Sequence, residues 1–144
     1  MNYQEIRLNK LREWEKIQKV GYPDSFDVQY NTQQARDLPE DGKKIKVAGR
    51  IMLMRVMGKL AFIQLKDFHG KIQLALKANI LEERFAFFEK NLDLGDIVGV
   101  EGILFTTNKG EKTIEVHNMK LLSKCLHPLP EKWHGLVDDE QRFR

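Results

Sequence analysis

The stretch GKLAFIQLKDFHGKIQLAL, residues 58–76, sets a large aromatic, Phe62, on a face otherwise made of Gln64, Lys66, Lys71, Gln73 and Lys77. Arg55 stands a short way upstream. A phenyl ring among polar side chains is a platform for stacking a flat π-system, worth about 1–3 kcal/mol per base by alanine substitution. A glutamine amide offers a donor and an acceptor side by side, and a guanidinium offers a planar fork of donors. Together the three types could hold a flat heterocycle by its face and by its edge, which is how the splayed bases of single-stranded RNA are read. An aromatic on an outer sheet face has a second use, as a packing contact under a loop or under a terminal helix.

Other chemistry finds little support. His69, His117, His127 and His134 are scattered, with no cysteine or carboxylate at metal-ligand spacing. Cys125 is the only cysteine and has no partner pattern for nucleophilic catalysis. No phosphate-cradling or dinucleotide-type glycine loop occurs. Asp93, Asp96, Asp138 and Asp139 read as turn and tail residues. No catalytic residue is assigned.

The elements that must position Phe62 follow from period-two alternation. Ala61, Ile63 and Leu65 share one face of residues 60–66, and Ile72, Leu74 and Leu76 share one of residues 71–77. Gly58-Lys59 suits a two-residue type II′ turn, which pairs Met57 with Leu60 and Arg55 with Phe62. A four-residue loop DFHG pairs Lys66 with Lys71, Gln64 with Gln73, and Phe62 with Ala75. Gln73 then lies diagonally beside Phe62, within reach of a long side chain. Arg55, Phe62 and Gln73 converge on one outward patch. The same register puts Ile51 and Leu53 on that outward face, unless a bulge near Gly49 or Arg50 turns them inward.

Along the rest of the chain, residues 2–20 read as a helix with Leu8, Leu11, Trp14, Ile17 and Val20 on its apolar stripe, Ile6 nearby, and Gly21 and Pro23 ending it. Arg7, Lys10, Arg12, Lys16 and Lys19 fill much of its remaining surface. Residues 31–37 fit one or two helical turns. A first strand over 43–57 is interrupted by Gly49, a sign of a bend or bulge. Residues 79–91 form a helix with Leu81, Phe85 and Phe88 on one face, and strands follow near 96–106 and 112–122. The order βββ-α-ββ is mainly β and predicts a five-stranded Greek-key OB-fold barrel, its helix between strands three and four plugging the bottom. A split β-sandwich and an SH3-like barrel fit that helix less well. Strands two and three are where this fold binds oligonucleotides.

With 144 residues the chain is one ordinary domain plus extensions. The expected parts are an N-terminal helical extension at 1–37, the barrel at 38–123 and a linker at 124–144. No apolar run approaches the roughly 20 residues of a membrane helix, and the N-terminus lacks a secretory apolar core. With a single cysteine besides, the expected setting is cytoplasmic, without a membrane partner. A net charge of +3 permits a nucleic-acid partner without demanding one.

The segments VAGRIMLMRVMGKLAFIQLKDFHGKIQ, LDLGDIVGVEGILFTTNKGE and LHPLPEKWHGLVDDEQRFR resemble the N-terminal part of bacterial-type lysyl-tRNA synthetases, class IIb aminoacyl-tRNA synthetases. The resemblance covers nearly the whole chain. It implies an OB-fold that binds the anticodon loop of tRNA-Lys, ahead of a class II catalytic domain using ATP and Mg²⁺. By motif, Phe62 matches the aromatic that stacks on the middle anticodon uridine, and Arg55 and Gln73 match residues bonding to that base. Glu111 matches an acidic residue near the first anticodon base. The chain departs from the family in stopping where the catalytic domain begins, so it should bind tRNA and charge nothing, with no cofactor of its own. The parent enzyme is expected to be a homodimer. A free-standing OB-fold that binds tRNA or single-stranded nucleic acid, an aspartyl- or asparaginyl-type relative, and a protein-interaction domain stay open as alternatives.

Overall fold

The computed structural model describes residues 2–18 and 26–127. Helix α1 spans Tyr3–Gln18 and α2 spans Thr32–Arg36. Strands β1 (Ile45–Met57), β2 (Leu60–Lys66) and β3 (Lys71–Lys77) precede α3 (Ala78–Leu81) and α4 (Glu83–Asn91). Strands β4 (Ile97–Thr106) and β5 (Lys112–Ser123) complete a closed barrel in the order β1-β2-β3-β5-β4. This is the expected five-stranded OB-fold. The candidate helix stop at Gly21 and Pro23 and the linker beyond His127 lie outside the described residues, as do Val20, Lys19, His134, Asp138 and Asp139.

The first strand serves both halves of the barrel. Its residues 45–50 pair with β4 and its residues 50–57 pair with β2. Gly49 sits at the handover, where a Cβ would lie 2.8 Å from the Lys66 carbonyl oxygen and 2.9 Å from Leu65. The bulge falls later than Gly49 or Arg50. Ile51 pairs with Leu65 and Leu53 with Gln64, leaving Met52 as the extra residue. One inserted residue reverses the facing of the strand beyond it. Ile51 is therefore fully buried, while Leu53 is 58% exposed beside Arg55.

Alternation sets the core as expected: Ala61, Ile63, Leu65, Ile72, Leu74 and Leu76 are all buried. The predicted single helix over 79–91 is two, broken at Glu82 with φ +57 and ψ −127. The break still leaves Leu81, Phe85 and Phe88 buried against the barrel. Helix α1 packs on α4 through Trp14, whose ring stacks on Phe88 at 5.5 Å and meets Phe87 edge-on at 5.1 Å. The Trp14 Nε1–H donates to the Asn91 carbonyl at 2.9 Å. The inward face of α1 is rotated from the apolar stripe, because Ile6 and Ile17 are exposed while Arg7 is buried. Arg7 donates to the carbonyls of Cys125 (3.0 Å) and His127 (3.4 Å), which satisfies a guanidinium that the sequence pattern placed in water.

Candidate nucleic-acid interface

Two tight connections hold Phe62 in place. Gly58 takes φ +64 while Lys59 does not take a positive φ, the pattern of a type II′ turn, and Arg55 pairs with Phe62. In the DFHG loop the Asp67 carboxylate accepts from the backbone N–H groups of His69 (2.8 Å) and Gly70 (3.0 Å). That loop fixes the pairs Lys66–Lys71, Gln64–Gln73 and Phe62–Ala75. The outer face thus carries two adjacent rows across the strands. One runs Arg55, Phe62, Ala75, Glu115; the other runs Leu53, Gln64, Gln73, Thr113.

The structure brings Arg55, Phe62 and Gln73 onto this one face. Arg55 is exposed, and Phe62 and Gln73 are each partly so. Phe62 lies flanked by Arg55 on the β1 side and by Gln73 diagonally on the β3 side. The ring is partly sunk in its surroundings rather than fully proud of the sheet. Ala75, directly beside it on β3, is fully buried.

Glu111 stands in the β4–β5 turn, where its N–H donates to Thr107 Oγ1 at 3.1 Å. It joins Gln73 in lining a shallow pocket of about 150 Å³ with Arg36, Gln64, Lys71 and Ile72. Arg36 Nη1 lies 3.5 Å from Glu111 Oε2 and donates to the Lys71 carbonyl at 3.3 Å. Arg36 reaches the pocket because α2 is pinned to the DFHG loop: Thr32 N–H and Oγ1–H donate to Asp67 at 2.8 and 2.7 Å. An Asn31–Gln34 capping box starts that helix. Lys66 and Lys71 face each other across β2 and β3, and Arg50 pairs with Lys66, so this end of the face gathers positive charge.

Sequence reasoning missed Arg36, Gln64, Lys71 and Thr113 as members of the site. Gln64 and Lys71 were legible as outward neighbours of Gln73. Arg36 and Thr113 arrive through the docking of α2 and the parallel β3–β5 pairing, which local patterns do not encode. Among the described residues no cluster of three or more His, Cys, Asp or Glu could hold a metal ion. No helix among them is long and apolar enough to cross a membrane.

The arrangement can stack a base, bond its edge and attract its phosphate. The family model described as OB-fold nucleic acid binding domain, of the tRNA anticodon type, matches residues 45–122, the span of the barrel. The lysine–tRNA ligase of Aquifex aeolicus is 49% identical over 116 residues, which are 80% of this chain and 19% of that protein. The ligase of Legionella pneumophila strain Corby is 46% identical over 121 residues, 84% of this chain and 24% of that one. That of Xylella fastidiosa strain 9a5c is 44% identical over 142 residues, 90% of this chain and 28% of the relative. The chain thus spans between about a fifth and somewhat over a quarter of the curated relatives it matches. It belongs to the tRNA-anticodon family of OB-fold nucleic-acid-binding domains, as an anticodon-binding domain that matches the N-terminal region of lysine–tRNA ligases.

Proposed function

We propose that the outer face of β1–β3 reads the anticodon of tRNA-Lys, with the middle uridine stacked on Phe62 and its edge bonded by Arg55 and Gln73. The observation that carries this reading is the shared face: the pairs Arg55–Phe62 and Gln64–Gln73 set a fork and an amide on either side of one aromatic ring. Glu111, across the pocket from Gln73, serves the first anticodon base. Arg36, Lys66 and Lys71 supply phosphate attraction, so affinity falls with salt. The task of these 144 residues is recognition, within a homodimeric, cytoplasmic lysine–tRNA ligase. In that whole enzyme ATP and Mg²⁺ serve a catalytic domain that attaches lysine, and this domain needs no cofactor of its own.

The test is binding of the chain to a tRNA-Lys anticodon stem-loop, beside a loop with cytidine in the middle position. Phe62→Ala should weaken binding of the uridine loop by about 1–3 kcal/mol. The cytidine loop should bind more weakly than the uridine loop. Equal binding of both loops, unaffected by Phe62→Ala, would contradict the reading.

A further inference from the structure

The side-chain amide of Gln73 is not free to turn. Its Nε2–H donates to Thr113 Oγ1 at 3.1 Å. The Thr113 hydroxyl in turn donates to the Glu111 carbonyl at 3.0 Å. Thr113 is fully buried, so water cannot stand in for either partner. A hydroxyl has one proton. With that proton committed to Glu111, Thr113 can only accept, and what it accepts from Gln73 must be an N–H. The parallel pairing of β3 with β5 sets Thr113 opposite Gln73, and the β4–β5 turn supplies the Glu111 carbonyl. The Gln73 amide is therefore held one way round.

Amide orientation matters because uracil and cytosine present inverse edges. Uracil offers an N3–H donor next to its O4 acceptor. Cytosine offers an N3 acceptor next to its N4–H₂ donor. An amide that can flip complements either edge, oxygen to N3–H and nitrogen to O4 in one case, nitrogen to N3 and oxygen to N4–H₂ in the other. An amide that cannot flip complements only one, and the other base then leaves buried groups mismatched.

We propose that Thr113 is a specificity-determining positioning residue: by fixing the Gln73 amide through the Gln73–Thr113–Glu111 hydrogen-bond chain, it makes the domain choose uridine over cytidine. Thr113 touches no base. It acts through Gln73, and the proposal rests on the reading that Gln73 faces a middle uridine, which sets which pyrimidine the held amide favours. The valine variant removes the hydroxyl at nearly constant shape. It frees the amide to flip, so its main effect is to improve cytidine binding rather than to abolish uridine binding.

The experiment measures dissociation constants of the uridine and cytidine stem-loops for the unaltered chain, Thr113→Val, Thr113→Ser and Phe62→Ala. A bidentate mismatch is worth about tenfold or more in discrimination. In Thr113→Val that preference should shrink to about twofold or less, mostly through tighter cytidine binding, and Thr113→Ser should restore it. A merely structural role would weaken both loops alike and leave their ratio unchanged, which would overturn the proposal. If Thr113→Val does not fold, Thr113→Ala is read the same way against Thr113→Ser. An unchanged ratio in these variants, with Phe62→Ala still weakening binding, removes the Thr113 role and leaves anticodon reading intact. Equal binding of the two loops by the unaltered chain, insensitive to Phe62→Ala, overturns both.

Discussion

Around Phe62, individual residues carry opposed demands of burial and charge. Glu115 lies on the same row, past Ala75. Burial pushes its carboxyl upward, but hydrogen bonds from His117 (3.1 Å) and Lys77 (3.2 Å) outweigh burial and hold it below its ordinary value. The unfolded chain lacks these partners, so the folded form gives up that proton more readily. The stability Glu115 contributes is therefore complete above the unfolded carboxylate value of about 4. It is lost as pH falls through the lower folded value. Glu115→Gln should flatten that acid limb, which denaturant midpoints measured across the acidic range would show; an unchanged limb would contradict it. Backbone strain makes a second residue-scale prediction. Glu82 is the only non-glycine with positive φ among the described residues, and its φ of +57 with ψ −127 suits glycine. Glu82→Gly should raise stability by about 1 kcal/mol, read as a higher unfolding midpoint. A lower midpoint would mean that the Glu82 side chain, not its backbone, matters there.

Among the elements, α2 is tied to the β2–β3 loop by one side chain. Asp67 closes the DFHG loop and also takes both hydrogen bonds from Thr32, so loop register and α2 docking share a single carboxylate. Asp67→Ala should cost about 3 kcal/mol or more, since four hydrogen bonds to one charged acceptor are lost together. It should also weaken RNA binding by loosening Arg36 from the rim of the pocket. The check is denaturant unfolding beside stem-loop affinity; a variant with unaltered affinity would separate α2 from the interface. The elements also show how far local patterns reach. Hairpin register was legible because Gly58-Lys59 and DFHG are turns of defined length between strands of clear alternation. The bulge was not, because Ile51, Met52, Leu53 and Met54 are apolar on either phase, so slipping by one residue leaves no mark in the pattern. The inward face of α1 was hidden for a related reason. Arg7 and Lys10 look solvated in sequence, yet backbone carbonyls and Asp93 wait for them in the fold. At the site, Arg55, Phe62 and Gln73 could be set together by counting residues. The nearness of Glu111 rested on resemblance alone, and Arg36 and Thr113 needed the tertiary structure.

For the whole molecule, one buried charge cluster ties α1 to the barrel and to the residues after β5. Lys124, with its side chain 1% exposed, lies 2.7 Å from Asp93 and 2.6 Å from Asp96, which is fully buried. Lys10 of α1 reaches Asp93 at 2.9 Å, and the Asp96 carboxylate also accepts from the Cys125 N–H. Burial raises the Asp96 carboxyl despite these partners. Asp93, also raised by burial, is brought below its ordinary value by Lys124 and Lys10. Lys124→Met leaves two buried carboxylates short of their cation and should cost about 3–5 kcal/mol in unfolding free energy. A loss under about 1 kcal/mol would show that the cluster is already hydrated. This cluster and the proposed base-reading face use different residues, so stability and recognition should be separable by mutation. The most direct test of anticodon reading by this face is a titration of the ¹⁵N-labelled chain with the tRNA-Lys anticodon stem-loop, monitoring backbone amide and side-chain amide shifts. The largest changes are expected at Arg55, Phe62, Gln73 and Glu111, including the Gln73 side-chain NH₂. Changes confined to α1, or to the β4 outer face away from these residues, would contradict it.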